Sequence, residues 1–332
     1  MLVVMPEVLV ATPLKYNAVS RPYSLSEGVS IRQLSPIRWE VALAKHMISD
    51  EERTKLARTQ YWLVVAQECR GAYGAGDEIY ELAASAAMSL QIICPTGASH
   101  IFLHFQEEPD GWDNTGIRHP KELNSTLLGR ISRLEDRGLQ EFNAIYQGIR
   151  RAEKDKLIRL QNPILLLEHG QQIGTATLSH LMYVMGLDIL FMAGESKNFV
   201  PRIGGFMGLD TLLFPPDSLH RQPALKVRDV LSHLYELRNI IAHGREIPKT
   251  PYREPYPITG TSGEQVNFEP LLYGDVLLEA SLFLLTAALR KIFVEGLYDL
   301  VADEKKWKAE LTRYEHRFKN AGGVRTAKER GG

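Results

Sequence analysis

The sequence predicts a mainly α-helical protein, with a mixed α+β domain over residues 1–155 and a helical bundle over residues 156–300. Three observations lead to this fold class. The first half contains short runs rich in β-branched and aromatic residues, which are typical of strands. From about Leu139 onward, apolar residues recur at helical spacing instead. The length of 332 residues suits about two domains of ordinary size.

In the first half, strands and helices are expected to alternate. Val29-Ser30-Ile31-Arg32 alternates apolar and polar residues and predicts a strand. A helix is expected from Ser49 to about Gly71, with acidic residues in its first turn, and a second from Asp77 to about Ile93. The run from His100 to Gln106 predicts another strand, and residues 109–116 a polar loop.

The start of the second half predicts long helices. A charged helix is expected from Glu141 to Leu160, and Asn162-Pro163 to begin the next one, because proline suits the first helical position. The apolar stretch from Ile164 to Met192 continues at helical spacing. Residues 194–224 are interrupted by glycine and proline and predict no regular element.

Two more helices and a tail complete the prediction. The first runs from Leu225 to His243 and ends at Gly244, a residue typical of helix C-termini. A core helix follows from about Tyr273 to Leu297. Residues 301–332 form a charged C-terminal tail, predicted to be a solvated helix that frays.

Composition limits the classes of function. The net charge of −1 provides no general basic field, so a nucleic-acid site has to be local. Two cysteines are too few for a disulfide framework or a cysteine-rich zinc site, which indicates a cytoplasmic protein. The most apolar stretch, Val276–Phe293, contains three charged residues, so no membrane association is expected. The sequence indicates no cofactor and no metal.

Two Arg-x4-His pairs lie within one predicted helix, Arg228 with His233 and Arg238 with His243. Chance alone supplies about 0.7 such pairs in a chain of this composition, so the spacing cannot decide between them. Asn239 and His243 are i,i+4 neighbours on one helical face, and Arg238 lies about 140° away with a long side chain that can swing to the same side.

The second pair lies in the stretch Leu-Tyr-Glu-Leu-Arg-Asn-Ile-Ile-Ala-His-Gly, residues 234–244. This stretch resembles the signature of the HEPN superfamily, in which Arg, a polar residue, three further residues and His lie near the end of a bundle helix. It looks like the Apea-like branch of that superfamily. The resemblance covers residues 155–300 and implies an all-helical HEPN-like bundle; the first half, expected to serve sensing or regulation, matches no named family.

The HEPN resemblance implies metal-independent RNA cleavage that leaves a 2′,3′-cyclic phosphate and a 5′-hydroxyl. It implies that Arg238 stabilises the phosphorane, that His243 transfers a proton and that Asn239 orients one of them or the phosphate. It further implies a homodimer, an antitoxin or defence partner protein, and a role in prokaryotic antiphage defence or toxin-like growth arrest. The apolar face of residues 164–192 is expected to contribute to the dimer.

Other interpretations remain open at this stage. Arg238 could pair with an acid in the bundle while His243 only caps the helix, or a non-catalytic HEPN scaffold could bind RNA, a nucleotide or a partner protein. His100 and His104 share a predicted strand face and could hold a metal, although no third ligand is evident. Glu168-His169 could lie near the cleft, although packing or capping at Gly170 is the better explanation.

Overall fold

The computed structural model divides the chain into two compact units. Unit 1 comprises residues 1–125, 130–156 and 289–296, and unit 2 comprises residues 126–129, 157–288 and 297–332. The residues that the structure describes are 7–14, 21–26, 28–33, 59–68, 76–95, 102–108, 111–118, 136–173, 175–214, 225–247, 257–259, 265–267 and 273–321.

Unit 1 contains an antiparallel sheet with the strand order β2-β3-β4-β1-β5-β6. In the described part of unit 1, helices α1 and α2 accompany this sheet, so the predicted mixed α+β character of the first half is confirmed. Its elements are β1 (Glu7–Pro13), β2 (Tyr23–Ser26), β3 (Val29–Arg32), β4 (Trp62–Glu68), α1 (Gly76–Ile93), β5 (Phe102–Glu108), β6 (Gly111–Arg118) and α2 (Asp136–Lys154).

The core of unit 1 forms between the sheet and the two helices. Leu63 and Val65 of β4 pack in one cluster with Ile79 of α1 and Phe142 of α2. Burial of such side chains stabilises the unit by about 25 cal/mol per Å² of apolar surface removed from water. The sheet is therefore held by its helices as well as by its hydrogen bonds.

Two predictions for the first half are wrong. The helix expected from Ser49 to about Gly71 is contradicted at Trp62–Glu68, which forms strand β4 between β3 and β1. A continuous apolar run fits a strand buried on both faces as well as it fits a helix, and periodicity alone does not separate the two. The polar loop expected at 109–116 is replaced by β6, because pairing with β5 satisfies its backbone groups.

Where the structure describes unit 2, it is mainly helical and has two small two-stranded sheets. The predicted mainly α fold is thus confirmed in its coarse form. Its elements are α3 (Ile158–Gln172), α4 (Ala176–Leu190), α5 (Ser196–Met207), β7 (Leu212–Phe214), β8 (Leu225–Lys226), α6 (Val227–Ala242), β9 (Pro257–Thr259), β10 (Gln265–Asn267), α7 (Tyr273–Val294, whose residues 289–294 belong to unit 1), α8 (Tyr298–Ala302) and α9 (Glu304–Asn320).

Several helix boundaries differ from the predicted ones. The charged helix, predicted to reach Leu160, ends at Lys154. Two residues later Lys156 adopts a positive φ of 52°, and α3 begins at Ile158. Pro163 lies inside α3 and is buried, so it does not open a helix as predicted. The stretch predicted as continuous over 164–192 is divided between α3 and α4. Helix α5 occupies a region predicted to lack regular structure.

The charged tail was predicted to be solvated, and this is wrong for α9. Its Trp307, Leu311, Tyr314 and Phe318 are buried, while charged residues occupy the opposite face. The indole Nε1 of Trp307 donates a hydrogen bond to the Leu190 carbonyl at 2.8 Å. Helix α9 is therefore part of the packed interior of unit 2.

Glycine allows α9 to approach α5 closely. A Cβ atom on Gly205 would lie 2.0 Å from the backbone oxygen of Tyr314, and no side chain could occupy that space. Arg202 of α5 reinforces the contact through an ion pair with Glu315, with 2.6 Å between Nε and Oε1. In the described part of the chain, no helix is long and apolar enough to cross a membrane.

Candidate functional site

Helix α6 carries the predicted site residues and buries one face in unit 2. Val230, Leu231, Leu234 and Leu237 recur at helical spacing and are all buried. Arg238 and Asn239 follow at half-buried positions, and His243 is exposed. The amphipathic pattern therefore anchors the helix by its apolar face and leaves its last turn accessible.

The end of α6 has well-defined geometry. His243 is the C-cap residue, and Gly244 beyond it has a φ of 65°, a conformation that glycine adopts without strain. The amide of Gly244 donates to the Ile241 carbonyl at 2.9 Å, and the amide of Arg245 donates to Ile240 at 2.9 Å. These two bonds form a Schellman motif, which holds His243 in place at the helix terminus.

Arg238 has polar and aromatic neighbours on α6. Its Nη1 donates to the Asn239 side-chain oxygen at 3.0 Å. Its guanidinium carbon lies 5.6 Å from the centroid of the Tyr235 ring, within the range of a cation–π interaction. Among the described residues, no carboxylate lies within ion-pair distance of Arg238, and its acidic neighbour is Asp188, which acts on it through its charge.

Asp188 of α4 is the acid that interacts electrostatically with Arg238, and sequence reasoning missed it. Its Oδ1 accepts a hydrogen bond from the Gly194 amide at 3.0 Å. Burial raises the pKa of Asp188, while the bond from Gly194 and the charge of Arg238 act to lower it. The available signal was that Asp188 is the sole acidic residue of α4, a mainly apolar helix.

The first Arg-His pair of α6 has acidic partners. Arg228 Nη2 lies 2.6 Å from an Asp210 carboxylate oxygen, and Lys226 Nζ lies 3.2 Å from the other. The hydrogen bond from Lys226 is the main cause that lowers the pKa of Asp210, with the charge of Arg228 adding to it. His233 Nδ1 lies 3.6 Å from Glu236. This pair therefore belongs to an exposed charge network.

The remaining candidates do not join the end of α6. His100 lies outside the described residues, and so does the side chain of His104, although its backbone is part of β5. Glu168 accepts a hydrogen bond from Gln172 within α3, and His169 is exposed on the same helix. Within the described ranges, no three His, Cys, Asp or Glu side chains come together as a metal site would require.

The last turn of α6 offers the groups that phosphodiester chemistry needs. Arg238 keeps a permanent positive charge, and its bond to Asn239 uses only one of its five N–H donors. His243 presents an exposed imidazole, the side chain that enzymes most often use for proton transfer. An anion bound by Arg238 would not have to displace a direct ion pair with a described carboxylate.

No family model, curated protein or solved structure matches this chain. The HEPN resemblance therefore stays a prediction that depends on residues 234–244 and their setting at the end of α6.

Proposed function

We propose that unit 2 is a metal-independent endoribonuclease of the HEPN type that cuts single-stranded or looped RNA, with Arg238 and His243 as catalytic residues. One observation carries this proposal. Of the two Arg-His pairs on α6, only the second has an arginine that is hydrogen-bonded to a neutral side chain and not ion-paired to a described carboxylate. Its remaining N–H donors can therefore bind a phosphate, although Asp188 also lies close enough to interact with its charge.

The proposed reaction is a transesterification followed by release of the product. The ribose 2′-oxygen attacks the adjacent phosphorus, and His243 accepts the proton of that hydroxyl. Arg238 stabilises the negative charge that develops on the phosphorane oxygens. The bond from phosphorus to the 5′-oxygen then breaks, and this oxygen takes up a proton. The products are a 2′,3′-cyclic phosphate and a 5′-hydroxyl.

Asn239 orients Arg238 in this proposal. Its side-chain oxygen accepts from Arg238 Nη1, which restricts the rotation of the guanidinium and leaves other N–H groups for the phosphate. An arginine that is held before substrate arrives loses less side-chain freedom on binding. Asn239 thus acts through Arg238 as a positioning residue.

We further propose that the protein acts as a homodimer. The reaction needs a base at the 2′-oxygen and an acid at the 5′-oxygen, and a second copy would supply a second imidazole. Exposed apolar side chains of α3 and α4 could contribute to such an interface, namely Leu165, Leu178 and Met185, which are 48%, 46% and 44% exposed. Sedimentation or scattering mass in solution tests this. A monomer with full activity would disprove the shared site.

The second candidate is a non-catalytic scaffold that binds RNA or a partner protein. The same three exposed apolar residues favour it, since apolar side chains that protrude from a helix pair suit a protein partner. In either case, unit 1 would serve sensing or regulation, in a context of antiphage defence or toxin-like growth arrest.

A cleavage assay in EDTA separates these functions. We expect purified protein to cut RNA in EDTA and to leave cyclic phosphate ends, which 3′-end analysis detects. His243→Ala should abolish the cuts while RNA binding persists. Binding without cleavage by the native protein would favour the scaffold, and cleavage that EDTA abolishes would overturn the metal-independent mechanism.

A further inference from the structure

A fully buried histidine links three helices of unit 2 through polar contacts. His180 of α4 is 0% exposed. Its Nδ1 lies 3.0 Å from the hydroxyl oxygen of Ser281 on α7, and its Nε2 lies 3.2 Å from the backbone oxygen of Leu234 on α6. The HEPN signature does not include this residue, and the reaction proposed above does not use it.

The partners determine the protonation of the ring. A backbone carbonyl only accepts hydrogen bonds, so Nε2 carries a proton and donates it to Leu234. Nδ1 is then the acceptor nitrogen of the neutral ring, and the single hydroxyl proton of Ser281 is shared between Nδ1 at 3.0 Å and the Leu278 carbonyl, to which it donates at 2.7 Å. Burial lowers the pKa of His180 to about 4, against a smaller opposite effect of the Leu234 bond, so the ring is neutral near pH 7.

The Leu234 carbonyl lies one helical turn before the candidate site. In an α-helix, the carbonyl of residue 234 is the acceptor for the amide of residue 238. That amide belongs to Arg238. The Leu234 carbonyl oxygen therefore accepts hydrogen bonds from both His180 and the Arg238 amide, at the start of the turn that carries Arg238 and Asn239.

A hydrogen bond to the Leu234 carbonyl fixes the rotation of α6 about its axis more strictly than apolar packing does. Apolar contacts are non-directional, whereas a hydrogen bond weakens steeply as its angle departs from linearity. Side-chain tips lie about 6 Å from a helix axis, so a rotation of about 20° would move them by about 2 Å. Fixing the rotation of α6 thus fixes the direction in which its last turn points.

We propose that His180 and Ser281 form a positioning pair that fixes the rotation of α6 and so directs Arg238 and His243 towards the RNA phosphate. The proposal deepens the ribonuclease function proposed above and depends on it for its catalytic readout. The pair does not touch substrate; it acts through the helix.

Two variants of similar polarity separate the two bonds of His180. The side-chain nitrogen of glutamine reaches the position of Nε2, so His180→Gln keeps a donor for Leu234. Asparagine reaches only the position of Nδ1, so His180→Asn keeps a contact with Ser281 and loses Leu234. We expect kcat to fall about ten- to hundredfold in His180→Asn and in His180→Leu, with KM changed less than about threefold. His180→Gln should stay within about threefold of the native kcat.

Amide hydrogen exchange gives a readout that does not need RNA cleavage. In His180→Asn, the Arg238 amide should exchange at least about tenfold faster, while buried amides of α9 keep their native rates. His180→Gln should exchange at the native rate. If His180→Leu does not fold, the comparison of His180→Asn with His180→Gln still tests whether the bond to Leu234 positions α6.

Native exchange at Arg238 in His180→Asn would overturn the positioning pair, whatever the activity. An equal loss of kcat in both polar variants would also overturn it, because the bond to Leu234 would then not matter. If the native protein cuts no RNA, the ribonuclease proposal fails, and the exchange measurement alone decides whether His180 positions α6.

Discussion

The two Arg-x4-His pairs of α6 share one helix and one spacing, but their surroundings differ. Arg228, in the first turn, is ion-paired to Asp210 at 2.6 Å. Arg238, in the last turns, donates to the neutral Asn239 and forms no ion pair within the described residues. The comparison teaches that the motif spacing carries little information by itself. What distinguishes a candidate phosphate site is an arginine whose N–H groups are not taken up by a direct ion pair with a carboxylate.

The two histidines differ in a similar way. His233 lies within the helix and faces Glu236 at 3.6 Å. His243 is the C-cap residue of α6, held by the Schellman motif around Gly244. His243 is exposed at this helix end, so a polymeric substrate can approach it. The first pair therefore belongs to the exposed ion pairs of α6, whereas the histidine of the second pair is accessible at the helix end.

The largest expected effect separates the two pairs directly. His243→Ala should lower RNA cleavage about 10²- to 10⁴-fold, and Arg238→Ala about 10²- to 10³-fold, because each removes a group that acts in the transition state. Arg228→Ala and His233→Ala are the matched controls and should stay within about threefold. Initial rates on a short labelled RNA measure all four. Loss of cleavage in the first pair alone would reverse the site assignment.

Acidification should weaken the contact between His180 of α4 and the middle of α6. The pKa of His180 is lowered to about 4 from 6.5, so between these values the unfolded chain binds the proton that the folded protein excludes. Stability should therefore fall as pH drops from 6.5 to 4, by on the order of 3 kcal/mol for this group.

Urea titrations at pH 7, 5 and 4 measure that change, with His180→Gln as the control. The glutamine variant should lose less stability over the same range because it has no proton to exclude. Equal acid sensitivity in both proteins would show that other groups dominate.

The glycine that ends α6 should affect both stability and activity. Gly244→Ala places alanine at a φ of 65° with nothing within 4 Å of the new Cβ, so the cost is conformational, about 1 kcal/mol. Cleavage should also fall, because the Schellman motif sets the position of His243.

Gly296→Ala is the matched control, since Gly296 has a φ of 68° and equally open space. It should cost a similar free energy of unfolding, measured in urea, and leave cleavage unchanged. Equal loss of cleavage in both variants would indicate a general effect of destabilisation.

The smallest expected effect concerns the ion pairs at the start of α6. Arg228→Ala should lower the midpoint of thermal unfolding slightly, and the difference should shrink in high salt, because exposed ion pairs are screened. The hydrogen bond from Lys226, together with Arg228, lowers the pKa of Asp210 below 3.8. The contribution of the pair is thus present above pH 3.8 and lost as pH falls through the folded pKa. Calorimetry at low and high salt tests it, and a difference that grows with salt would contradict it.

The sequence predicted elements with strong local signals more reliably than others. Helix α6 and its end at Gly244 were predicted because an apolar period and a terminal glycine act within a few residues. Strand β4 was predicted as a helix, since its run of apolar residues suits either structure and only pairing with β1 and β3 decides. Helix α5 was missed because Pro201 and nearby glycines suggest a loop when read locally.

For the candidate site, the sequence by itself determined that Arg238, Asn239 and His243 lie at the end of one helix, since their spacing and the following Gly244 are local properties. Only the tertiary structure decided which arginine of α6 is ion-paired, because Asp210 lies 18 residues from Arg228. It also decided the contact between His180 and Leu234, which are 54 residues apart. Charge pairing and burial depend on which helices meet, and that arrangement follows from packing over the whole of unit 2 rather than from any short stretch of sequence.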